Sequence, residues 1–149
     1  MKLKYLAMLG AGVILSVGLA TEVSSNQGSI ALAQRSAEMS VQSGTFMNGE
    51  HPTQGIARII VENGKRYLVL GNTFKTNNGP DLYVILHRSD APPISGIRRQ
   101  DYVSIGRLQK VSGMQRYAIP ANVNLTNFRS VAIWCRRFNA TFGYAALGG

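Results

Sequence analysis

The segment QGIARIIVENGKRYLVLGN, residues 54–72, predicts a β-hairpin and with it the fold class. Its centre, Asn63-Gly64, separates two apolar runs, and both residues tolerate the positive φ angles of a two-residue type I′ turn. A loop of that length sets the register, in which Glu62 faces Lys65. One face of the hairpin is then apolar, and we predict that it packs into the core. Its members are Ala57, Ile59, Val61, Leu68 and Leu70.

The segments that follow the hairpin continue a pattern of short apolar runs broken by glycine, asparagine and proline. Residues 82–86 are apolar at every position, which is typical of a central strand buried on both faces. Residues 89–101 contain Pro92 and Pro93, which lack the N–H donor that regular pairing needs, so we predict a long loop. Residues 102–109 and 115–120 are expected to be two further strands. The whole pattern predicts an all-β fold, an antiparallel β-sandwich of about seven to eight short strands.

The final segment, SVAIWCRRFNATFGYAAL, residues 130–147, is open to two interpretations. An unbroken strand would place Trp134 toward the core and force Arg136 into it. A turn or bulge at Arg136-Arg137 avoids the buried charge and the excessive strand length, so we favour it. Cys135 then faces the core and Trp134 the outer face, although both interpretations stay open at this point. Alternation after the turn predicts a further set of core-facing positions: Phe138, Ala140, Phe142 and Tyr144.

The N-terminal segment has the features of a secretory signal peptide. Lys2 and Lys4 precede an apolar run over residues 6–20, and Ala31-Leu32-Ala33 is a small-residue cleavage site. We therefore expect residues 1–33 to be a cleaved leader and the protein to be exported, to the periplasm or outside the cell. An uncleaved membrane anchor is the alternative.

Beyond the leader we expect two regions. Residues 34–43 are polar and without pattern, which favours a linker, and residues 44–149 form the β-domain. The net charge is +9, and the leader contains only two lysines and one glutamate, so the remaining chain stays basic. Such an excess favours polyanions or acidic membrane surfaces as partners.

The chain contains one cysteine, so no disulfide can form within it. Cys135 is therefore a buried small hydrophobic residue, a reactive thiol, or half of an intermolecular bond. Arg136 and Arg137 would stabilise the thiolate if the sulfur were accessible.

Other kinds of site have little support in the sequence. His51 and His87 lie far apart and no ligand pair has zinc-like spacing, so we predict no metal site. The residue types of a hydrolytic triad are present but no nucleophile-elbow sequence is, so enzymatic activity stays open and we favour a domain that is not an autonomous enzyme. The basic residues do not alternate with exposed aromatic residues, so nucleic acid is not an expected partner.

The order of several short motifs resembles the electron-transfer DM-thirteen domain family over residues 44–148. The motifs are Gly44-Thr45-Phe46, His51, Gly55-Ile56-Ala57, Asn78-Gly79-Pro80-Asp81-Leu82-Tyr83-Val84, Gly106-Arg107-Leu108, Tyr117-Ala118-Ile119-Pro120, Ser130-Val131, Trp134-Cys135, Phe138, Phe142-Gly143 and Ala146-Leu147. The resemblance implies an all-β extracytoplasmic domain whose characteristic cysteine corresponds to Cys135. It also implies electron transfer with a redox partner such as a DOMON or b-type cytochrome protein. Haem is then expected only on that partner, with no cofactor in this chain.

Two functions are consistent with these expectations. The first is an exported accessory domain with a thiol-based redox or electron-transfer role, in which Cys135 is the redox centre. Arg136 and Arg137 would tune the thiol, and Trp134 would pack beside it. The alternative is a non-enzymatic binding or adhesion module whose loop arginines, Arg98 and Arg99, hold anionic cell-surface polymers or lipid headgroups.

Overall fold

The computed structural model describes residues 38–148, which form eight antiparallel strands. The strands are β1 (Glu38–Asn48), β2 (Ile56–Glu62), β3 (Lys65–Leu70), β4 (Leu82–His87), β5 (Tyr102–Arg107), β6 (Gln115–Ala118), β7 (Ser130–Cys135) and β8 (Ala140–Ala146). The helical structure in this part of the chain is limited to two short 3₁₀ turns, Arg99–Asp101 and Leu125–Asn127. The predicted all-β class, with its antiparallel sandwich-like sheet and strand number, is confirmed.

The strands follow the order β5-β4-β7-β8-β1-β2-β3-β6 and form two layers. The hairpin layer contains β2, β3 and β6, the second layer contains β4, β5, β7 and β8, and β1 joins the two. The first part of β1 pairs with β2 as far as Thr45, and its last residues, from Phe46 to Asn48, pair with β8. The two edge strands of this order, β5 and β6, approach each other. There the backbone N–H of Gln109, just beyond β5, donates to Tyr117 Oη of β6 at 2.9 Å. The sheet is therefore nearly closed around one interior.

The β2–β3 hairpin has the predicted turn and register. Asn63 and Gly64 have φ angles of 52° and 77°, and Glu62 lies opposite Lys65. Four of the five predicted apolar residues are buried in the main core between the layers. The fifth, Val61, is half-buried near the turn. The turn chemistry and the alternation therefore predict this element correctly.

The main core lies between the layers and draws on both of them. Ala57 and Leu70 come from the hairpin, and Leu86 and Ile133 come from β4 and β7. The predicted central strand is β4, which pairs with β5 on one side and β7 on the other. Its alternate residues reach a second cluster on the outer face of the sheet. That outer cluster consists of Ile85, Ile97, Ala132 and Trp134, with Tyr83, Tyr102 and Tyr144 packed against it.

The proline-containing loop helps to cover this outer face, which is why β4 is apolar at every position. Thr141 of β8 is hydrogen-bonded to the loop twice. Its N–H donates to Ile94 O at 2.7 Å, and its hydroxyl donates to Pro93 O at 2.6 Å. The loop thus adds a partial third layer over β4, β7 and β8.

The β7–β8 connection agrees with the second interpretation of residues 130–147. A turn follows Cys135, whose side chain belongs to the main core, and Trp134 lies in the outer cluster. Two other predictions for this segment are wrong. Phe138 lies in the turn and is 66% exposed, and Tyr144 belongs to the outer cluster.

The physical reason for the second error is a β-bulge. Ile133 pairs with Gly143 and Trp134 with Thr141, so Phe142 is the extra residue between them. One extra residue reverses the alternation that follows it. Phe142 therefore packs in the main core, and Tyr144 points to the other side of the sheet.

The predicted linker is wrong from residue 38 onward, because β1 begins at Glu38 and pairs with β2. The side chains of Met39, Ser40 and Val41 are exposed. Backbone hydrogen bonds hold this part of the strand, so hydrophobic alternation cannot reveal it. The predicted leader, residues 1–33, and the start of the predicted linker lie outside the described residues. Within residues 38–148 we find no helix with the length and apolar character that crossing a membrane requires.

Candidate functional site

Cys135 is the last residue of β7 and lies at one end of the main core. It pairs with Leu82 of β4 and Ala140 of β8, and its exposure is 0%. The preceding strand is fully buried, and the turn that follows is exposed. The thiol is free but enclosed, so a reagent can reach Sγ only if the surrounding structure moves.

A loop over residues 77–81 packs against this end of the core, and Gly79 allows its close approach. A Cβ atom on Gly79 would lie 2.9 Å from Phe142 Cζ, closer than real Cβ contacts, and 3.0 Å from Leu82 Cδ2, which is tighter than most of them. Phe142 and Leu82 share the main core with Cys135. A side chain at position 79 would therefore displace the loop or its neighbours.

His51 contacts the same phenylalanine. The ring centroids of His51 and Phe142 are 3.9 Å apart, with an interplanar angle of 42°. His51 Nδ1 lies 3.1 Å from Asn77 Nδ2, an amide nitrogen that can only donate, so Nδ1 is assigned as the acceptor. This contact joins the β1–β2 connection to the loop over the Cys135 end.

Asp81 binds two arginines at the edge of this site. Its carboxylate accepts from Arg136 Nε at 3.1 Å and lies 3.3 Å from Arg107 Nη1. The backbone N–H of Arg136 also donates to Asp81 O at 3.0 Å. Both guanidinium groups lie over the Tyr83 ring, at 4.7 Å for Arg136 and 5.0 Å for Arg107. These contacts connect the start of β4 to the end of β5 and to the β7–β8 turn.

This arrangement places the predicted tuning residues away from the thiol side of the sheet. Tyr83 packs on the outer cluster, whereas Cys135 points into the main core, so the Arg136 guanidinium lies on the opposite face. Arg137 is exposed in the turn. The ion pairs of Asp81 have no local signal in the sequence, because Arg107 and Arg136 are distant from it along the chain.

Trp134 is next to Cys135 in sequence but packs on the other side of β7. Its indole N–H donates to Asn139 Oδ1 at 2.9 Å, and its ring centroid is 4.9 Å from that of Tyr102. The predicted packing neighbour is thus separated from the thiol by the sheet. The aromatic surroundings of Trp134 were not predicted, because they depend on how the loop folds over the strands.

Arg98 and Arg99 are both exposed on that loop, but they do not converge on one point. Arg98 Nε donates to Asp101 Oδ2 at 2.8 Å, and the Arg99 guanidinium lies 5.3 Å from the Tyr102 ring centroid. The neighbouring Ile97 N–H donates to Asn139 Oδ1 at 3.0 Å. The loop with these arginines is therefore hydrogen-bonded to the turn that contains Arg136 and Arg137.

In the part of the chain that the structure describes, no group of three or more His, Cys, Asp or Glu side chains is placed to hold a metal ion.

Comparison with known proteins identifies the family of the chain. No curated protein and no solved structure matches the chain. The model of the family described as Electron transfer DM13 matches residues 45–147. The match extends from within β1 to just beyond β8 and includes every residue of the Cys135 end. It covers most of the chain and confirms the resemblance found in the sequence. The chain therefore belongs to the Electron transfer DM13 family, and its role lies in electron transfer.

Proposed function

We propose that the protein is an exported electron-transfer accessory domain in which Cys135 is the redox group, shielded in the closed fold. The observation that carries this proposal is the position of the thiol. Cys135 is fully buried, yet it ends its strand, one residue before an exposed turn and beside a loop closed through Gly79. Opening of this end would expose the sulfur without unfolding the hairpin layer.

The exposed thiol would react with a disulfide on another exported protein. The Cys135 thiol loses its proton to solvent, and the thiolate attacks one sulfur of that disulfide. The partner's S–S bond breaks, a mixed disulfide forms, and the second sulfur leaves as a thiolate. Because this chain has one cysteine, the second sulfur must come from another molecule. A DOMON or b-type cytochrome protein is the redox partner class that the family resemblance suggests.

Export is part of the same proposal and has its own test. Cleavage after Ala33 would leave β1 intact, because that strand begins at Glu38. N-terminal sequencing of the protein from its native host should find Gln34 first. Retention of Met1 on membrane-bound protein would contradict cleavage and favour the anchor.

The shielding can be tested with a small aromatic disulfide reagent that releases a coloured thiolate. We compare the native protein with Gly79→Ala, whose new Cβ would press on Phe142 and Leu82. The matched control is Gly64→Ala at the remote hairpin, where φ is +77° and no atom lies within 4 Å of the added Cβ. It strains the fold without touching the Cys135 end.

If the Cys135 end opens locally, the thiol of Gly79→Ala should react with the reagent faster than that of Gly64→Ala when the two variants are compared at equal free energy of unfolding. It also predicts rates that are nearly independent of urea well below the unfolding midpoint, because a local opening exposes little surface. If all variants instead react in proportion to their unfolded fraction, with a steep urea dependence, Cys135 is a packing residue and the redox proposal fails. A Cys135→Ala variant that retains activity with the native partner would also contradict the redox proposal.

A further inference from the structure

A cleft at the other end of β4 has no part in the Cys135 site. It lies between the end of β4 and the loop over residues 89–101, and its volume is about 420 Å³. Leu82, at the start of β4, pairs with Cys135, whereas His87 is five residues further along, roughly 17 Å away at the rise of a strand. The side chains that matter for the cleft are His87, Arg88, Ser89, Arg98 and Asp101.

The hydrogen bonds of His87 determine which ring nitrogen carries the proton. The backbone N–H of Ser89 lies 3.1 Å from His87 Nδ1, and Ser89 Oγ lies 3.0 Å from the same atom. A backbone N–H can only donate, so Nδ1 must be the acceptor. In the neutral ring the proton is then on Nε2, which is a hydrogen-bond donor.

That donor has no acceptor among the described residues. His87 is 4% exposed, and its Nε2 is the one buried side-chain nitrogen or oxygen in residues 38–148 that lacks a hydrogen-bond partner. Buried donors in folded proteins are nearly always paired. The chemistry of the position therefore calls for an oxygen acceptor.

The charges around the cleft favour an acceptor with negative charge. Arg98 is paired with Asp101, but Arg88 forms no ion pair with any carboxylate that the structure describes. The Nε of Arg88 donates to Gln100 O at 3.0 Å, which holds the guanidinium beside the loop. Two arginines and one aspartate leave an excess of positive charge and disfavour a metal cation.

We propose that this cleft binds an oxyanion, the carboxylate or phosphate group of a small molecule. Arg88 and Arg98 supply the positive charge, and His87 donates the Nε2–H hydrogen bond. Because Nε2 itself is buried, this hydrogen bond requires the cleft to open at His87 as the anion enters. The inference is independent of the redox role of Cys135, since the two sites have no residue in common.

The two histidines of the chain make a direct test by NMR, since His87 is the reporter and His51 is the internal reference. The ring nitrogen signals are recorded at pH 7.5 and constant ionic strength while inorganic phosphate, or in a second series acetate, is added. The result expected without ligand is the Nε2–H form of His87. Addition of the anion should shift the His87 signals in a saturable manner and leave those of His51 unchanged. The anion that binds more tightly identifies a phosphate or a carboxylate.

Two variants separate the cleft from general electrostatic attraction. Arg88→Gln should weaken binding about tenfold or more, the usual effect of losing a charged hydrogen bond. Arg129→Gln makes the same charge change at a nearby exposed residue that pairs with Asp90 and does not line the cleft, so it should leave binding unchanged. The proposal is overturned if neither anion shifts His87 saturably, or if both variants weaken binding equally. Binding of long anionic polymers alone, with His87 unaffected, would also overturn it.

Discussion

The Cys135 side chain is buried in surroundings that are apolar on every strand it contacts. Its neighbours on β4 and β8 are the apolar residues Leu82 and Ala140, and its side chain lies in the main core. A thiol suits this position because it packs like a small hydrophobic group. The structure thus decides the alternative left open by the sequence: the thiol is buried in the closed fold.

The response to substitution at Cys135 follows from this burial. Cys135→Ala should lower the free energy of unfolding by about 1 kcal/mol, since it removes only the sulfur contacts. Cys135→Ser should cost more, about 1–3 kcal/mol, because the hydroxyl is desolvated in apolar surroundings. Urea unfolding of the two variants measures the order. A serine variant as stable as the alanine variant would mean that the position is open to water.

His87 makes stability depend on pH. Burial lowers the pKa of His87 below its ordinary value of 6.5, and the negative charge of Asp101 opposes part of that effect. Below pH 6.5 the unfolded chain then binds a proton that the folded protein resists, so stability decreases as the pH falls. The contribution is fully present above pH 6.5 and is lost toward the lower pKa of the folded state.

We therefore expect the free energy of unfolding to decrease between pH 7.5 and pH 5 by a larger amount in the native protein than in His87→Gln. Urea midpoints at the two pH values, measured at constant ionic strength, give this difference. Equal decreases in both proteins would show that the buried imidazole is not responsible.

Individual residues were predictable from the sequence only where a local rule governs them. The charge of Arg136 and the excessive length of an unbroken strand favoured the turn after Cys135, because an arginine is rarely buried without a partner. The hydrogen bonds of His87 and the ion pairs of Asp81 were not predictable, since each depends on residues brought together by the tertiary fold.

Among the elements, the β2–β3 hairpin has the strongest local specification. Both turn residues have positive φ, and the register follows from the two-residue loop. Gly64 has open space around its missing Cβ, so a larger side chain would cause backbone strain rather than a collision.

Gly64→Val should lower the free energy of unfolding by about 1–2 kcal/mol, because a β-branched residue strongly disfavours positive φ. The denaturation midpoint in urea measures the effect, and Lys65→Val is a control at a neighbouring exposed position with negative φ. An unchanged midpoint for Gly64→Val would contradict the turn type.

The sequence did not reveal the start of β1, and in β8 it indicated the wrong side of the sheet for Tyr144, for different reasons. The first part of β1 buries no apolar face, since Met39, Ser40 and Val41 are all exposed, so its membership in the sheet depends on backbone pairing with β2. In β8 the pattern was visible but misleading. The bulge at Phe142 shifts the alternation, and a bulge is a property of the pair β7–β8 rather than of one strand.

At the scale of the whole molecule, the two layers depend on each other. The main core takes side chains from the hairpin layer and from β4, β7 and β8, and β1 pairs with both layers. Neither layer could bury its apolar face alone. The chain has no internal disulfide to hold a partly opened state together, since it contains one cysteine.

This dependence predicts cooperative unfolding of residues 38–148 as one unit. Trp134 is the only tryptophan in the chain and reports on the outer cluster over β4 and β7. Far-UV circular dichroism reports on all eight strands. In a two-state transition the urea midpoints from fluorescence and dichroism coincide, because no intermediate is populated.

The same experiment sets the limit of any opening at the Cys135 end. An opening that exposes the thiol but preserves the layers would be too rare to change either signal, so the two curves should coincide even if Cys135 reacts by the local route. A fluorescence transition at clearly lower urea than the dichroism transition would show that the loop and the outer cluster detach while the hairpin layer remains folded. The fold would then consist of two units of different stability, in contradiction to the single core that joins them.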